Sequence, residues 1–204
     1  MKISSRIIAS IFFLHGILIF LFWMLFAFLL PMTEPYVNWL LDADWIWVNS
    51  IGFIGSSLGI FVLAALYYYR ESEYWLDMFA FVLASIGVIC LTGLLFFEAY
   101  ILKGIALINP DLIVLNQGFY DETSFRLVNL IGGICFSTGF IIVGINMIKD
   151  KTFKRWKLIL LIIGAPLFGN VFVPGNFRLI GVLLYVVAFI SMAFELFAKK
   201  NRDD

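Results

Sequence analysis

Five polar or charged side chains fall at one depth in a sequence that is otherwise strongly apolar. Four of them are predicted to lie three or four residues inside the end of a membrane-crossing helix, and the fifth opens the last such helix. At 1.5 Å per residue, this places all five within about 5–6 Å of one membrane boundary. We predict that they form a polar cup, a binding site open to one side of the membrane. The five residues are Asn49, Glu98, Asn129, Asn170 and Arg178.

Glu98 is the most informative of these residues because the run 94–100 around it is made of leucine, phenylalanine, alanine and tyrosine. A carboxylate in hydrocarbon is costly unless it is paired or protonated. Arg178 is the partner that the cup would supply. Proton coupling, contact with a cation and a simple ion pair all fit Glu98. The alternative to a shared cup is that each polar group reaches water at a helix end independently.

His15 is the only histidine and lies near the middle of the first predicted span. It is a candidate for ligand binding, although a neutral ring bonded to a neighbouring helix is the more ordinary role. One histidine with Cys90 and Cys135 in separate apolar runs does not supply the usual zinc or haem ligands. We therefore expect no cofactor and no metal. The sequence also has no catalytic motif and nothing that resembles a nucleic-acid-binding module.

Small residues recur at helical spacing in two related segments. Residues 48–59 and 128–139 align without a gap and share Val, Asn, Ile, Gly, Ile, Ser and Gly. Small residues three or four apart let helices approach closely in lipid. The match predicts an internal repeat of helical hairpins, with a weaker third copy opening at 177. The glycines expected to pack against other helices are Gly52, Gly55, Gly59, Gly132 and Gly139.

The elements that must position these residues are membrane helices. The chain has 204 residues, of which 63% are hydrophobic and 14% charged, and its mean hydropathy is +1.01. A soluble domain averages about 45–50% apolar and about 25% charged residues. Runs of about 20 apolar residues span the hydrocarbon core as helices. We predict an all-α bundle in a single membrane domain, 1–204, with six spans at 7–31, 45–69, 75–102, 126–148, 156–173 and 177–198.

Three local features refine this prediction. The only long loop, 103–125, contains Asn109 and Pro110 as a helix start, so we expect a short interfacial helix there. Pro166 should break the fifth span, and two consequences fit equally well: residues 167–170 line an internal space, or packing accommodates a kink. Ionisable or amide side chains at the opposite, inner ends of the spans are expected to be solvated. They are Asp77, Asn146 and Glu195.

The distribution of basic residues predicts the orientation. With both termini in the cytoplasm, eleven of the 14 Lys and Arg residues lie inside and three lie outside. The positive-inside rule therefore favours a protein of the cytoplasmic membrane with both termini inside and the polar cup facing outward.

These features favour a protein that binds or translocates a small lipophilic or amphiphilic molecule through the outward-facing cup. The alternative is a non-catalytic accessory or assembly subunit that packs through its glycine faces. Such a subunit would contact a membrane-protein partner or a second copy of the chain. An intramembrane enzyme is the third hypothesis, since Glu98 is one candidate acid without an evident catalytic partner.

The predicted orientation can be tested by labelling single cysteines in a variant that lacks the two native ones. A membrane-impermeant reagent added to sealed cells should reach positions in 32–44 and 105–122, and it should not reach positions in 149–155. Labelling of 149–155 in sealed cells would contradict the orientation.

Overall fold

The computed structural model describes residues 4–30, 36–70, 75–115, 123–170 and 173–200. All regular secondary structure in these ranges is helical. The helices are α1 (Ser5–Leu29), α2 (Val37–Leu41), α3 (Trp45–Arg70), α4 (Trp75–Phe96), a π-helical segment (Phe97–Leu102), α5 (Lys103–Ile108), α6 (Pro110–Leu115), α7 (Thr123–Lys149), α8 (Arg155–Gly169) and α9 (Gly175–Lys200).

Five of these helical stretches are long and apolar enough to cross a membrane, and the chain is thus an integral membrane protein. They comprise α1, α3, α4 with its continuation to Ile108, α7 and α9. The sixth predicted span corresponds to α8, which has 15 residues. At 1.5 Å per residue α8 is about 22 Å long, which is shorter than a hydrocarbon core of about 30 Å. Six spans and their orientation stay predictions, and residues 31 and 171–172 of the predicted spans lie outside the described residues.

The six longest helices form a closed ring that follows the order of the chain. Each packs on the next, in the order α1, α3, α4, α7, α8 and α9, and α9 packs back on α1. Helices next to each other in the ring are therefore antiparallel. Helices three places apart, such as α4 and α9, lie on opposite sides of the ring. This arrangement is compatible with three hairpins, but the internal repeat itself stays a prediction.

The start of α3 is set by two aspartates. The Asp44 N–H donates to Asp42 Oδ1 at 2.8 Å, and the Trp47 indole N–H donates to Asp44 Oδ1 at 2.6 Å. Backbone bonds from Trp45 N to Asp42 O and from Val48 N to Asp44 O then open the helix. Negative groups are favourable at a helix N-terminus, where backbone N–H groups lack partners within the helix. These contacts fix the position of Trp45, which reaches into the bundle.

The loop expected to begin at residue 103 begins later in the structure. The helix continues through the π-helical segment and α5 to Ile108, and the expected short helix follows at Pro110–Leu115. Lys103 does not end the helix because its ammonium donates to the Asp42 carbonyl oxygen at 2.5 Å, although the side chain is only 7% exposed. A buried ammonium needs such a partner. Residues 116–122 of the predicted loop lie outside the described residues.

Asp77, Asn146 and Glu195 were expected to be solvated, and that expectation was wrong. All three lie at the same end of the bundle as Lys157. Asp77 and Asn146 are each 5% exposed, and the Asn146 amide donates to Asp77 Oδ1 at 2.7 Å. Lys157 is also buried and lies 2.8 Å from a Glu195 carboxylate oxygen. These pairs connect α4 with α7 and α8 with α9. Because each group satisfies another, the helices can bury polar side chains there at a smaller cost in free energy.

Aromatic side chains fill the ring on the Lys157 side. Tyr185 and Phe189 have ring centroids 4.8 Å apart, and Phe136 and Phe140 have centroids 4.7 Å apart. Phe12 packs edge-on against Phe189 with a centroid distance of 5.6 Å. All five side chains are almost fully buried. This central aromatic cluster fills the space inside the ring over about half the length of the bundle. It does not fill the other half.

Several glycines lie where helices approach closely. A Cβ at Gly52 would lie 2.7 Å from the Phe22 ring, and one at Gly132 would lie 2.6 Å from Cys90 Cβ. At Gly55 and Gly59, the nearest side-chain atoms would lie at 3.1 Å.

Other close approaches were not anticipated from the sequence, and Gly87 and Gly181 are two examples. A Cβ at Gly87 would overlap the backbone of Phe136, and one at Gly181 would lie 2.5 Å from Phe168 N. Neither glycine belongs to the two matching segments, so the alignment gave no reason to select them.

Gly139 offers a test of this packing. Gly139→Ala would place a Cβ against the backbone nitrogen of Ala84 and 2.6 Å from its Cβ. We expect overpacking to reduce stability by about 1–3 kcal/mol, seen as a lower melting midpoint in detergent. Gly93→Ala is the matched control, because a Cβ there would meet nothing within 4 Å. Equal melting midpoints for the two variants would contradict the close approach of α4 and α7.

Candidate functional site

The half of the ring that the aromatic cluster does not fill contains a cavity of about 520 Å³. It lies at the end of the bundle where α1 and α4 approach their last turns and α3 and α9 begin. Ligand sites are usually about 300–1,000 Å³, mostly apolar, and carry a few polar groups. The lining residues are Ile19, Phe22, Trp23, Phe26, Ala27, Trp39, Ser56, Leu91, Leu94, Leu95, Glu98, Phe168, Gly169, Gly175, Asn176, Arg178 and Leu179.

Glu98 lines this cavity from the π-helical segment. A π-helical turn contains one more residue than an α-helical turn, so it changes the direction of the side chains that follow. The Glu98 carbonyl oxygen accepts a hydrogen bond from the Trp45 indole N–H at 3.0 Å. This bond ties the π-helical segment to the start of α3. The main chain of Glu98 is therefore fixed at the cavity wall.

Arg178 lines the same cavity from the first turn of α9. Its side chain is partly buried, and Nη2 donates to the Val173 carbonyl oxygen at 3.4 Å. Because α4 and α9 are on opposite sides of the ring, Arg178 and Glu98 approach the cavity from opposite walls. The two charged residues of the predicted cup thus face one space.

The three asparagines of the predicted cup are placed differently, and none belongs to the lining of this cavity. Asn49 is fully buried, and its amide donates to the Trp45 carbonyl oxygen of its own helix at 2.9 Å. Asn129 lies half-buried in the second turn of α7. Asn170 is the residue that ends α8, and its carbonyl accepts from Val173 N. Only the charged pair of the cup residues therefore lines the cavity.

His15 lies beneath the cavity and joins three helices. Its Nδ1 is 2.8 Å from the Gly55 carbonyl oxygen, and its Nε2 is 3.0 Å from the Tyr185 hydroxyl. A carbonyl only accepts, so Nδ1 carries the proton, and in the neutral ring Nε2 accepts from Tyr185. The sequence predicts such bonding to a neighbouring helix for a lone histidine.

A small void of about 10 Å³ separates His15 and Tyr185 from the cavity above. The void and the cavity have four wall residues in common, so the void continues the floor of the cavity toward the buried hydrogen bonds. These residues are Ile19, Ser56, Leu91 and Phe168. The cavity therefore ends on packed side chains and is closed at its deep end within the described part of the chain.

Aromatic rings make up a large part of the wall. Trp23 and Phe26 have ring centroids 6.1 Å apart, and Trp23 and Phe168 have centroids 6.2 Å apart. The Trp23 indole N–H is buried and has no acceptor among the described residues. An unsatisfied buried donor costs about 1–3 kcal/mol, so the packing around Trp23 must offset this cost.

Sequence reasoning missed these aromatic residues because aromatic side chains are common throughout the chain, at 18% of all residues. The one available signal was their concentration in the second half of the first span. The expected break at Pro166 was wrong, because α8 continues through this residue to Gly169. The prediction that residues 167–170 line an internal space agrees with the placement of Phe168 and Gly169 in the wall.

The hydrogen bonds of His15 can be tested with Tyr185→Phe. The change removes the donor to Nε2 and leaves a buried acceptor without a partner, which should cost about 1–3 kcal/mol of stability. Tyr100→Phe is the control, since its hydroxyl bonds to Ser50 Oγ at 2.7 Å but the residue is 40% exposed. We expect a lower melting midpoint for the Tyr185 variant alone. If both variants melt as the wild type does, the buried bond does not stabilise the bundle.

No family model matches the sequence, and no curated protein or solved structure matches the chain significantly. What the protein does must therefore be inferred from its own apolar helices and from the cavity between them.

Proposed function

We propose that this membrane protein binds a small lipophilic or amphiphilic molecule in the cavity between α1, α3, α4, α8 and α9. The observation that carries the proposal is a cavity of about 520 Å³ with aromatic and aliphatic walls and two opposite charges, Glu98 and Arg178. An apolar space with a few polar groups is the usual form of a small-molecule site. With the predicted orientation, the cavity faces the outer side of the membrane.

The shape of the site favours binding over free passage. The central aromatic cluster fills the ring on the Lys157 side, and the void below the cavity floor has only about 10 Å³. A continuous path would require the buried rings of Tyr185 and Phe136 to move apart, and packed interiors resist such changes. The molecule is therefore expected to enter and leave at the same end of the bundle.

The glycine faces support this proposal over an accessory subunit that docks through them. Gly52 faces Phe22 of α1, Gly132 faces Cys90 of α4, and Gly139 faces Ala84 of α4. Each of these close approaches is made to a helix of the same chain. A partner protein that used the same glycines would have to displace a helix of the ring.

Occlusion of the cavity provides the direct test. Leu94→Trp places a bulkier side chain in the cavity wall. Ile89→Trp on the same helix is the control, because Ile89 is 58% exposed. The protein is reconstituted in phosphatidylglycerol nanodiscs and titrated with single-chain C16 amphiphiles. Native mass spectrometry then counts the bound molecules. We expect at least one of the amphiphiles to bind to the wild type and to Ile89→Trp. The expected stoichiometry is about one bound molecule per protein chain.

Binding to Leu94→Trp should be at least about tenfold weaker, which corresponds to 1.4 kcal/mol. If Leu94→Trp binds every amphiphile as the wild type does, the cavity is not the binding site.

The two charges can be tested together. Glu98→Gln and Arg178→Gln should each weaken binding of the retained amphiphile while changing the melting midpoint little. Their combined effect should be less than the sum, because both act on one bound molecule. Simple addition of the two effects would show that the charges do not share a ligand.

A further inference from the structure

We propose that the cavity selects a single-chain amphiphile with a zwitterionic headgroup, whose cationic part lies against Glu98 and the tryptophan rings and whose anionic part lies against Arg178. This inference rests on the proposed function and specifies the class of molecule that the site takes.

The first argument is charge balance across the cavity. Glu98 and Arg178 line one apolar space from opposite walls, and together they carry no net charge. Charge interactions are stronger in apolar surroundings than in bulk water. A ligand with a single charge complements one wall and opposes the other. A zwitterion complements both, and it adds no net charge to the site.

The second argument concerns the cation. Trp23, Phe26 and Trp39 line the same cavity as Glu98. Aromatic faces attract quaternary ammonium groups, and tryptophan does so most strongly. A carboxylate among aromatic rings therefore favours a bulky, weakly hydrated cation. The anionic part has its own partner in Arg178, which lines the same cavity.

The third argument concerns the apolar part of the molecule. Gly175 and Asn176 at the start of α9 are exposed, so Arg178, the one charged residue in the first turn of α9, lies toward the opening. Leu91 and Ile19 lie at the deep end with a single hydroxyl, that of Ser56, next to the void below. The deep end is thus mainly apolar, as an amphiphile inserted chain-first requires.

The size of the cavity favours one chain. A cavity of about 520 Å³ lies within the usual range of about 300–1,000 Å³ for small-molecule sites. We therefore take a molecule with a single alkyl chain as the simplest occupant.

The test uses probes that share a chain and differ in charge. They are hexadecylphosphocholine, hexadecyl phosphate and hexadecyltrimethylammonium, each titrated into the full chain in phosphatidylglycerol nanodiscs. Only binding that Leu94→Trp weakens and Ile89→Trp retains is counted. We expect hexadecylphosphocholine to bind at least about tenfold more tightly than either probe with charge of one sign only, a difference of 1.4 kcal/mol.

The variants should change this selectivity in opposite directions. Glu98→Gln should weaken hexadecylphosphocholine and hexadecyltrimethylammonium and leave hexadecyl phosphate unchanged or improved. Arg178→Gln should weaken the two phosphate-containing probes and spare the ammonium. Trp39→Leu, which removes a ring without changing a charge, should act as Glu98→Gln does. It also serves as the second variant if Glu98→Gln does not fold.

Glycerophosphocholine separates an amphiphile from a soluble molecule with the same headgroup. If it binds as tightly as hexadecylphosphocholine, the alkyl chain contributes nothing and the inference is wrong. Equal binding of the three C16 probes would also overturn it, but the proposed binding function would stand. If Leu94→Trp weakens the binding of none of the probes, the proposed function itself fails.

Discussion

The hydrogen bonds of His15 are the constraint on which the arrangement of the bundle depends. They connect α1 to the Gly55 carbonyl of α3 and to the Tyr185 hydroxyl of α9, at the level where packed aromatic rings give way to the cavity. In hydrocarbon, a polar ring that lacked either partner would be costly to bury. The three helices are therefore held at fixed distances from each other. The floor of the cavity is rigid for the same reason.

Charges are distributed by the same rule. Lys103 donates to the main-chain carbonyl of Asp42. Lys157 pairs with the Glu195 carboxylate and also donates to the main-chain carbonyl of Ser191. Each buried ammonium is thus compensated within the chain by an acceptor that the ring brings close. Glu98 and Arg178 also line an open space large enough for another molecule. This position in the cavity wall distinguishes them from Lys103 and Lys157, which are not among the lining residues.

The sequence predicts the helical architecture well because hydropathy acts over whole segments. The helical segments expected near 45–69 and 126–148 agree closely with α3 and α7, and the placement of Glu98 and Arg178 at a common level follows from counting residues. The missed features depend on contacts between distant residues. Nothing local signals the π-helical segment at Phe97–Leu102, since its wide turn is supported by Trp45 of another helix. The pairing of Asp77 with Asn146 likewise depends on α4 and α7 lying side by side, which no local pattern in the sequence indicates.

Closure of the ring has a consequence for how the protein is made. All neighbours in the ring except one pair follow each other along the chain, so they can associate as synthesis proceeds. The exception is α1 with α9, and the hydrogen bond between His15 and Tyr185 joins positions 170 apart. Contacts of such separation form late. A nascent chain that stops before α9 leaves His15 with one partner and α1 and α8 with an open edge in the lipid. The last helix thus completes the hydrogen bonds of His15 and removes the open edge at the same time.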